Sequence, residues 1–194
     1  LTFKTTYLYC TLGYGSHGLL DSCTSYGTQL FWPFSDTRIA WNTISIIDPL
    51  FTIPLLIIVV LTIFKRKMIL ARASLLWVIF YLSLGYLQHE RAEKLAYSIA
   101  ETRKHVVKRI EVKPSIANLL VWKVIYETKE KYYVDAVKIG FKNKILEGAS
   151  IDKLNVVESF PWLDKNSQQA KDIKRFSWFS NGYLAISKEN PNRI

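Results

Sequence analysis

The sequence predicts a mainly α membrane protein, a helical bundle with a transmembrane hairpin, followed by a small α+β C-terminal domain. Three observations carry this. Residues 44–64 (ISIIDPLFTIPLLIIVVLTIF) and 69–87 (ILARASLLWVIFYLSLGYL) are long apolar runs separated by Lys65-Arg66-Lys67. Past Pro114 the hydrophobic period turns from helical to strand-like. The charges crowd into one half, since residues 88–194 hold 20 of the 26 Lys and Arg and 13 of the 16 Asp and Glu. The chain therefore divides into a membrane-embedded helical domain at 1–87, an amphipathic connecting helix at 88–113 and a soluble α+β domain at 114–194.

Taken in order, residues 5–20 (TTYLYCTLGYGSHGLL) combine aromatics with Gly13, Gly15, Ser16 and Gly18. So much glycine makes a poor helix in water, whereas small residues let helices approach closely in a membrane. The stretch reads as the tail of a membrane helix ending near Asp21. Cys10 and Cys23 are the only cysteines and form no metal or redox signature, so they read as packing residues. Residues 25–43 are a turn-rich connection in which Pro33 removes a backbone donor. Trp32, Phe34 and Trp41 suit an interfacial aromatic belt.

Residues 44–64 have the length that crosses a bilayer core. Asp48 before Pro49 is a helix cap, because Pro is tolerated in the first turn. Residues 69–87 form a second, shorter crossing, with Arg72 snorkelling near its start. The positive-inside rule places Lys65–Lys67 in the cytoplasm. The His17–Asp21 end and everything after residue 87 then share the other, non-cytoplasmic face.

Residues 88–110 carry Leu95, Ile99, Val106 and Ile110 at near-helical spacing among charges and read as an amphipathic helix. His89-Glu90 begins like a zinc-protease signature, but the position for the second His is Glu93. His89 and His105 thus read as solvated residues. Residues 119–126 (LLVWKVIY) and 132–140 (YYVDAVKIG) predict an antiparallel hairpin around ETKEK, with Trp122 or Tyr126 buried. Shorter runs at 144–147 and 154–160 extend the sheet. Residues 166–179 form a helix opening at Asn166 or Ser167. Asn181-Gly182 turns into a last strand at 183–187.

The net charge of +10 admits an anionic partner. Because the basic residues alternate with acids, a solvated surface facing lipid headgroups is expected rather than nucleic-acid binding. The stretch that organises the chain runs from His17 to Pro54. His17 and Asp21 are four residues apart, hence on one face of a helix. Such a pair is either a surface hydrogen-bonded pair or a half-site for a divalent metal. Arg38 either snorkels to lipid phosphate or holds an anionic substrate group.

His17-Gly18-Leu19-Leu20-Asp21, Thr24-Ser25-Tyr26-Gly27-Thr28-Gln29, Trp32-Pro33-Phe34-Ser35, Arg38 and Asp48-Pro49-Leu50 follow one another at unbroken spacing. The segment resembles the LexA-regulated, membrane-bound, metal-dependent hydrolase family (YdjM-like). A looser similarity extends to Asn118–Trp122 and Trp178–Tyr183. The resemblance implies a bacterial inner-membrane, multi-pass protein with a divalent metal, zinc first, held by His17 and Asp21. It further implies catalytic roles for Asp48 and Arg38 and substrate contacts from Thr24, Tyr26 and Gln29. The bilayer-surface location makes a membrane lipid or other amphipathic ester the expected substrate. Family members begin with further membrane segments bearing an acidic and a His-Arg motif. This chain opens with Leu1 and is expected to be the C-terminal part of a longer protein, without the upstream ligands. The competing expectation is a non-enzymatic membrane protein whose His/Asp motif is a packing and capping device. A third has the basic C-terminal domain recruiting an anionic partner.

Overall fold

The computed structural model describes residues 2–186. Three helices, a four-stranded sheet and two further helices follow one another. Helix α1 spans Phe3–Ser22, capped by the Thr2 side chain, which accepts from the Thr5 N–H. Residues 23–48 then form a folded loop. Thr28 and Ile39 bridge through a reciprocal pair of 2.9 Å backbone bonds. Trp41 N–H donates to Ser22 O at 2.7 Å and Thr43 N–H to Cys23 O at 2.9 Å, so the loop returns to the end of α1.

Helix α2, Pro49–Lys65, begins where the D-P step predicts. The Asp48 carboxylate accepts from the Leu50 and Phe51 N–H groups at 3.1 and 3.3 Å. Residues 44–47 do not belong to it; they run as buried-to-exposed loop, with Ile44 only 3% exposed. Arg66 takes the left-handed conformation, at φ 49°, that ends α2 and turns the chain back. Helix α3 then runs without a break from Met68 to Thr102, 35 residues. The two helices pack antiparallel. Trp77 Nε1 donates to Phe51 O at 3.1 Å and Tyr81 Oη to the second Asp48 oxygen at 2.8 Å. Among the described residues only α3 is both long and apolar enough to cross a membrane, and its apolar window is just 11% buried. Helix α2 is apolar but has 17 residues.

The sheet is an antiparallel meander, β1 (Arg109–Pro114), β2 (Val121–Glu127), β3 (Lys131–Lys138) and β4 (Lys144–Asp152). The expected hairpin is present, with Trp122 opposite Val137 and Tyr126 opposite Tyr133. Side chains alternate across a strand. Trp122, Val124 and Tyr126 accordingly form one buried face, each fully buried, against Val112 and Val137. The far half of α3 lays Ala92, Ala96, Ile99 and Ala100 on that face. These small residues admit the bulky Trp122 and Tyr126. Gly148 meets a bulge in β3; a Cβ there would sit 2.0 Å from Val134 O. Helix α5, Gln168–Phe179, is capped by Ser167 as expected and covers the other face with Ile173 and its aromatic end.

A buried ion pair fastens α3 to the sheet. Arg103, at the helix end, grips Asp135 with two nitrogens at 2.6 and 3.1 Å. It also donates to Tyr126 Oη at 2.9 Å. Asp135 is 4% exposed and takes a further bond from Gly148 N–H at 2.9 Å. Burial would lower the Arg103 pKa, but Asp135 and Tyr126 outweigh it and raise it.

Four expectations need correction. The 69–87 and 88–110 helices are one helix ending at Thr102, and residues 109–114 are strand β1. Mixed charge and aliphatic spacing suits either period, and pairing with β2 selected the strand. The run at 154–160 is not strand; Val156–Ser159 form the short helix α4. Residues 183–186 lie outside any strand, with bonds from Tyr183 N–H to Ser180 O at 3.1 Å and from Leu154 N–H to Leu184 O at 2.9 Å; Ser187 lies outside the described residues. Cys10 is exposed, whereas Cys23 is buried as expected.

Replacing Arg103 with Ala leaves the Asp135 carboxylate buried without its partner. The expected cost is about 3–5 kcal/mol, read as a lowered denaturation midpoint of the purified chain. Gly85→Ala should also destabilise. A Cβ there would meet Thr43 O at 2.3 Å, so the loop must leave α3; faster proteolysis within 40–46 is the readout.

Candidate functional site

His17 and Asp21 lie one turn apart on α1, and His17 Nε2 is 3.4 Å from Asp21 Oδ2. Their side chains are 72% and 49% exposed. They point away from the bundle, not into it toward Arg38 and the start of α2, because only the last turn of α1 meets the returning loop. A zinc-like ion takes four ligands. The pair offers two, and among the described residues no third donor joins them. Thr24 Oγ1 donates to Asp21 O at 2.8 Å and so serves the helix end.

Arg38 is bound by α5. Its guanidinium donates to Phe179 O at 2.7 Å and lies over the Trp178 and Phe179 rings, at 5.2 and 4.8 Å. Beside it, Tyr26 borders a recess of about 500 Å³ with Ile125, Val134 and Phe176. Gln29 reaches Asp36 O at 3.4 Å. Asp48, 3% exposed, spends both oxygens on capping α2 and accepting from Tyr81. No hydrogen bond or ion pair among the described residues connects the His17–Asp21 pair to Arg38 or Asp48.

A cavity of about 880 Å³ lies where α3 leaves its apolar stretch and reaches the sheet. Trp41, Leu82, Tyr86 and Leu87 supply apolar wall; His89, Glu90 and Glu93 supply the polar end. One nitrogen and two carboxylate oxygens of these three lie within 4.8 Å of one another. His89 is not solvated as expected. It is half-buried and meets the buried Trp122 edge-on, ring centroids 5.7 Å apart. Asn42 and Glu111 line the same cavity, and each has a buried oxygen with no partner, Oδ1 and Oε2. The H-E-x-x-E spacing was the available signal for this cluster. It carried little weight because its other donors come from a distant loop and from β1.

His105 is also half-buried, within 2.9 Å of Tyr126 Oη and tilted against the Tyr133 ring, centroids 4.4 Å apart. A second polar network ties Trp178–Tyr183 to the sheet. Arg109 bonds Glu127 and Asn181 O, with its guanidinium 4.0 Å from the Tyr183 ring centre. Lys153 bonds the other Glu127 oxygen. Burial alone would raise the Glu127 carboxyl, but Lys153 and Arg109 outweigh it and hold it below its ordinary range. Burial, against the Arg109 charge, pushes the Tyr183 hydroxyl up to about 12.

A carboxylate whose folded pKa is depressed stabilises above its unfolded pKa, and that stability disappears as pH falls through the folded pKa. The domain should therefore weaken with acidification below Glu127's ordinary value of 4.5. Glu127→Gln should lower stability near neutral pH and flatten that acid-side slope in pH-dependent unfolding.

No curated protein and no solved structure matches the chain. Residues 2–92 do match a family model, which covers α1, the folded loop, α2 and α3 as far as Ala92. That model is the YdjM inner membrane protein family, so this part of the chain is similar to it, in line with the His17–Pro54 motifs.

Proposed function

We propose that this membrane protein hydrolyses a lipid or another amphipathic ester at the bilayer surface. The observation that carries the reading is the position and lining of the 880 Å³ cavity. It opens where the apolar part of α3 ends, with Trp41, Tyr86 and Leu87 toward the membrane side and His89, Glu90 and Glu93 toward the sheet. An aliphatic chain suits the first wall and a polar headgroup the second. In this reading α2 and α3 cross the membrane as a hairpin. Arg66 and its lysine neighbours lie on the cytoplasmic side, and the sheet domain lies on the other.

A divalent metal, zinc first, would supply a water of near-neutral pKa and polarise the ester. His17 and Asp21 would contribute two of its ligands. The pair alone falls short of a coordination set, so this part of the reading needs donors beyond it. Arg38, Tyr26, Thr24 and Gln29 would sit on the substrate side, and Asp48 would orient the metal-bound groups.

A second reading is favoured by Asp48 and Arg38. Both are fully engaged in capping, packing and stacking, as a non-enzymatic membrane scaffold requires. Ester hydrolysis by the purified chain in nanodiscs separates the two. We expect turnover of a long-chain fluorogenic ester to exceed that of its short-chain analogue, and to fall at least tenfold in Ser83→Trp, which fills the cavity. No turnover of either ester would leave the scaffold reading.

A further inference from the structure

We propose that His89, Glu90 and Glu93 form a binding site for a divalent first-row cation, Mn²⁺ or Zn²⁺, completed by Asn42 Oδ1 from the folded loop. The three α3 residues sit at i, i+1 and i+4, and their donor atoms already lie within 4.8 Å of one another. Donors on one such ion at about 2.0–2.2 Å stand roughly 3–4 Å apart. Small side-chain rotations therefore close the set without moving the helix.

Three features point to a cation rather than to an idle acidic patch. Glu90 and Glu93 are half-buried, and among the described residues neither has an ion pair or hydrogen bond. Two carboxylates so placed beside an apolar wall repel each other, and a divalent ion converts that repulsion into attraction. His89 is held edge-on by the fully buried Trp122, which restricts its ring to a defined direction at the cavity. The third feature is independent of the acids. Asn42 is 7% exposed and lines this cavity. Its Nδ2 donates to Ala40 O at 3.4 Å, while Oδ1 has no partner. A buried amide oxygen on a residue that lines the same cavity as a carboxylate cluster cannot accept from ionised acids, but it can ligate a cation they attract. One imidazole nitrogen with three oxygens is a mixed donor set of the kind that Mn²⁺ and Zn²⁺ take.

This inference shares its cavity with the hydrolase reading but requires no turnover, and its donors are distinct from His17 and Asp21. The test is a titration of the full chain in nanodiscs, stripped with chelator, with Mn²⁺ alone. Free Mn²⁺ is followed by electron paramagnetic resonance and then displaced with Zn²⁺. One saturable ion per chain is expected, with affinity reduced at least tenfold in His89→Gln and in Glu93→Gln and unchanged in Lys94→Gln, an exposed α3 position outside the cavity lining. Near-ultraviolet circular dichroism of each variant must match the parent, so that lost binding is not lost folding. Glu90→Gln serves as the alternative acid variant should Glu93→Gln fail that check. The site is overturned if the parent binds no saturable ion, or if the folded His89 and Glu93 variants bind as tightly as the parent. Ester turnover, scored separately, decides the hydrolase reading whichever way the titration falls.

Discussion

One continuous helix governs this structure. At about 1.5 Å per residue α3 is roughly 50 Å long, enough to serve two solvents in succession. Its first half presents Leu75, Leu76, Ile79 and Phe80 outward, more than half exposed in each case. Its second half buries Ala92, Ala96, Ile99 and Ala100 under the sheet. The helix runs unbroken through both halves and so joins the sheet domain directly to the apolar hairpin. Gly85 sits near the changeover, where the absent side chain admits the Thr43 carbonyl. That approach brings the 40–45 loop against α3 and forms one wall of the large cavity.

The sheet in turn locks the helix end. Arg103 and Asp135 form a two-pronged pair inside the fold, with Tyr126 Oη accepting from the guanidinium and the Gly148 N–H donating to the carboxylate. On the opposite face, Arg109, Glu127 and Lys153 hold the Asn181–Tyr183 turn, and Arg38 lies over Trp178 and Phe179. The family-type loop and the C-terminal helix are thus clamped to each other through one guanidinium. Trp178–Tyr183 is the segment that Arg38 and Arg109 both grasp.

The residues that drew attention as a metal half-site and those that assemble around a cavity are different sets. His17 and Asp21 are visible in sequence because their spacing is helical and their motif is contiguous. Exposure is a tertiary property, and the loop returning to α1 covers Ser22 and Cys23 while leaving the preceding turns open. His89, Glu90 and Glu93 were equally visible but lacked a second histidine. Their claim rests on Asn42 and Trp122, which the folded loop and β2 deliver from elsewhere in the chain.

By itself the sequence determined whatever depends on local chemistry. The apolar length of the helical pair, the Asp48 cap, the Ser167 cap and the alternation Trp122, Val124, Tyr126 are each written in neighbouring residues and survive folding. Tertiary structure decided what depends on competition between partners. Residues 109–114 became a strand because β2 offered them a hydrogen-bonded edge, and α3 stopped at Thr102 because Arg103 found Asp135. His89 and His105 became half-buried because Trp122, Tyr126 and Tyr133 gave them aromatic surfaces to lie against. A periodic pattern specifies which face of an element is apolar; only the assembled fold specifies what that face meets.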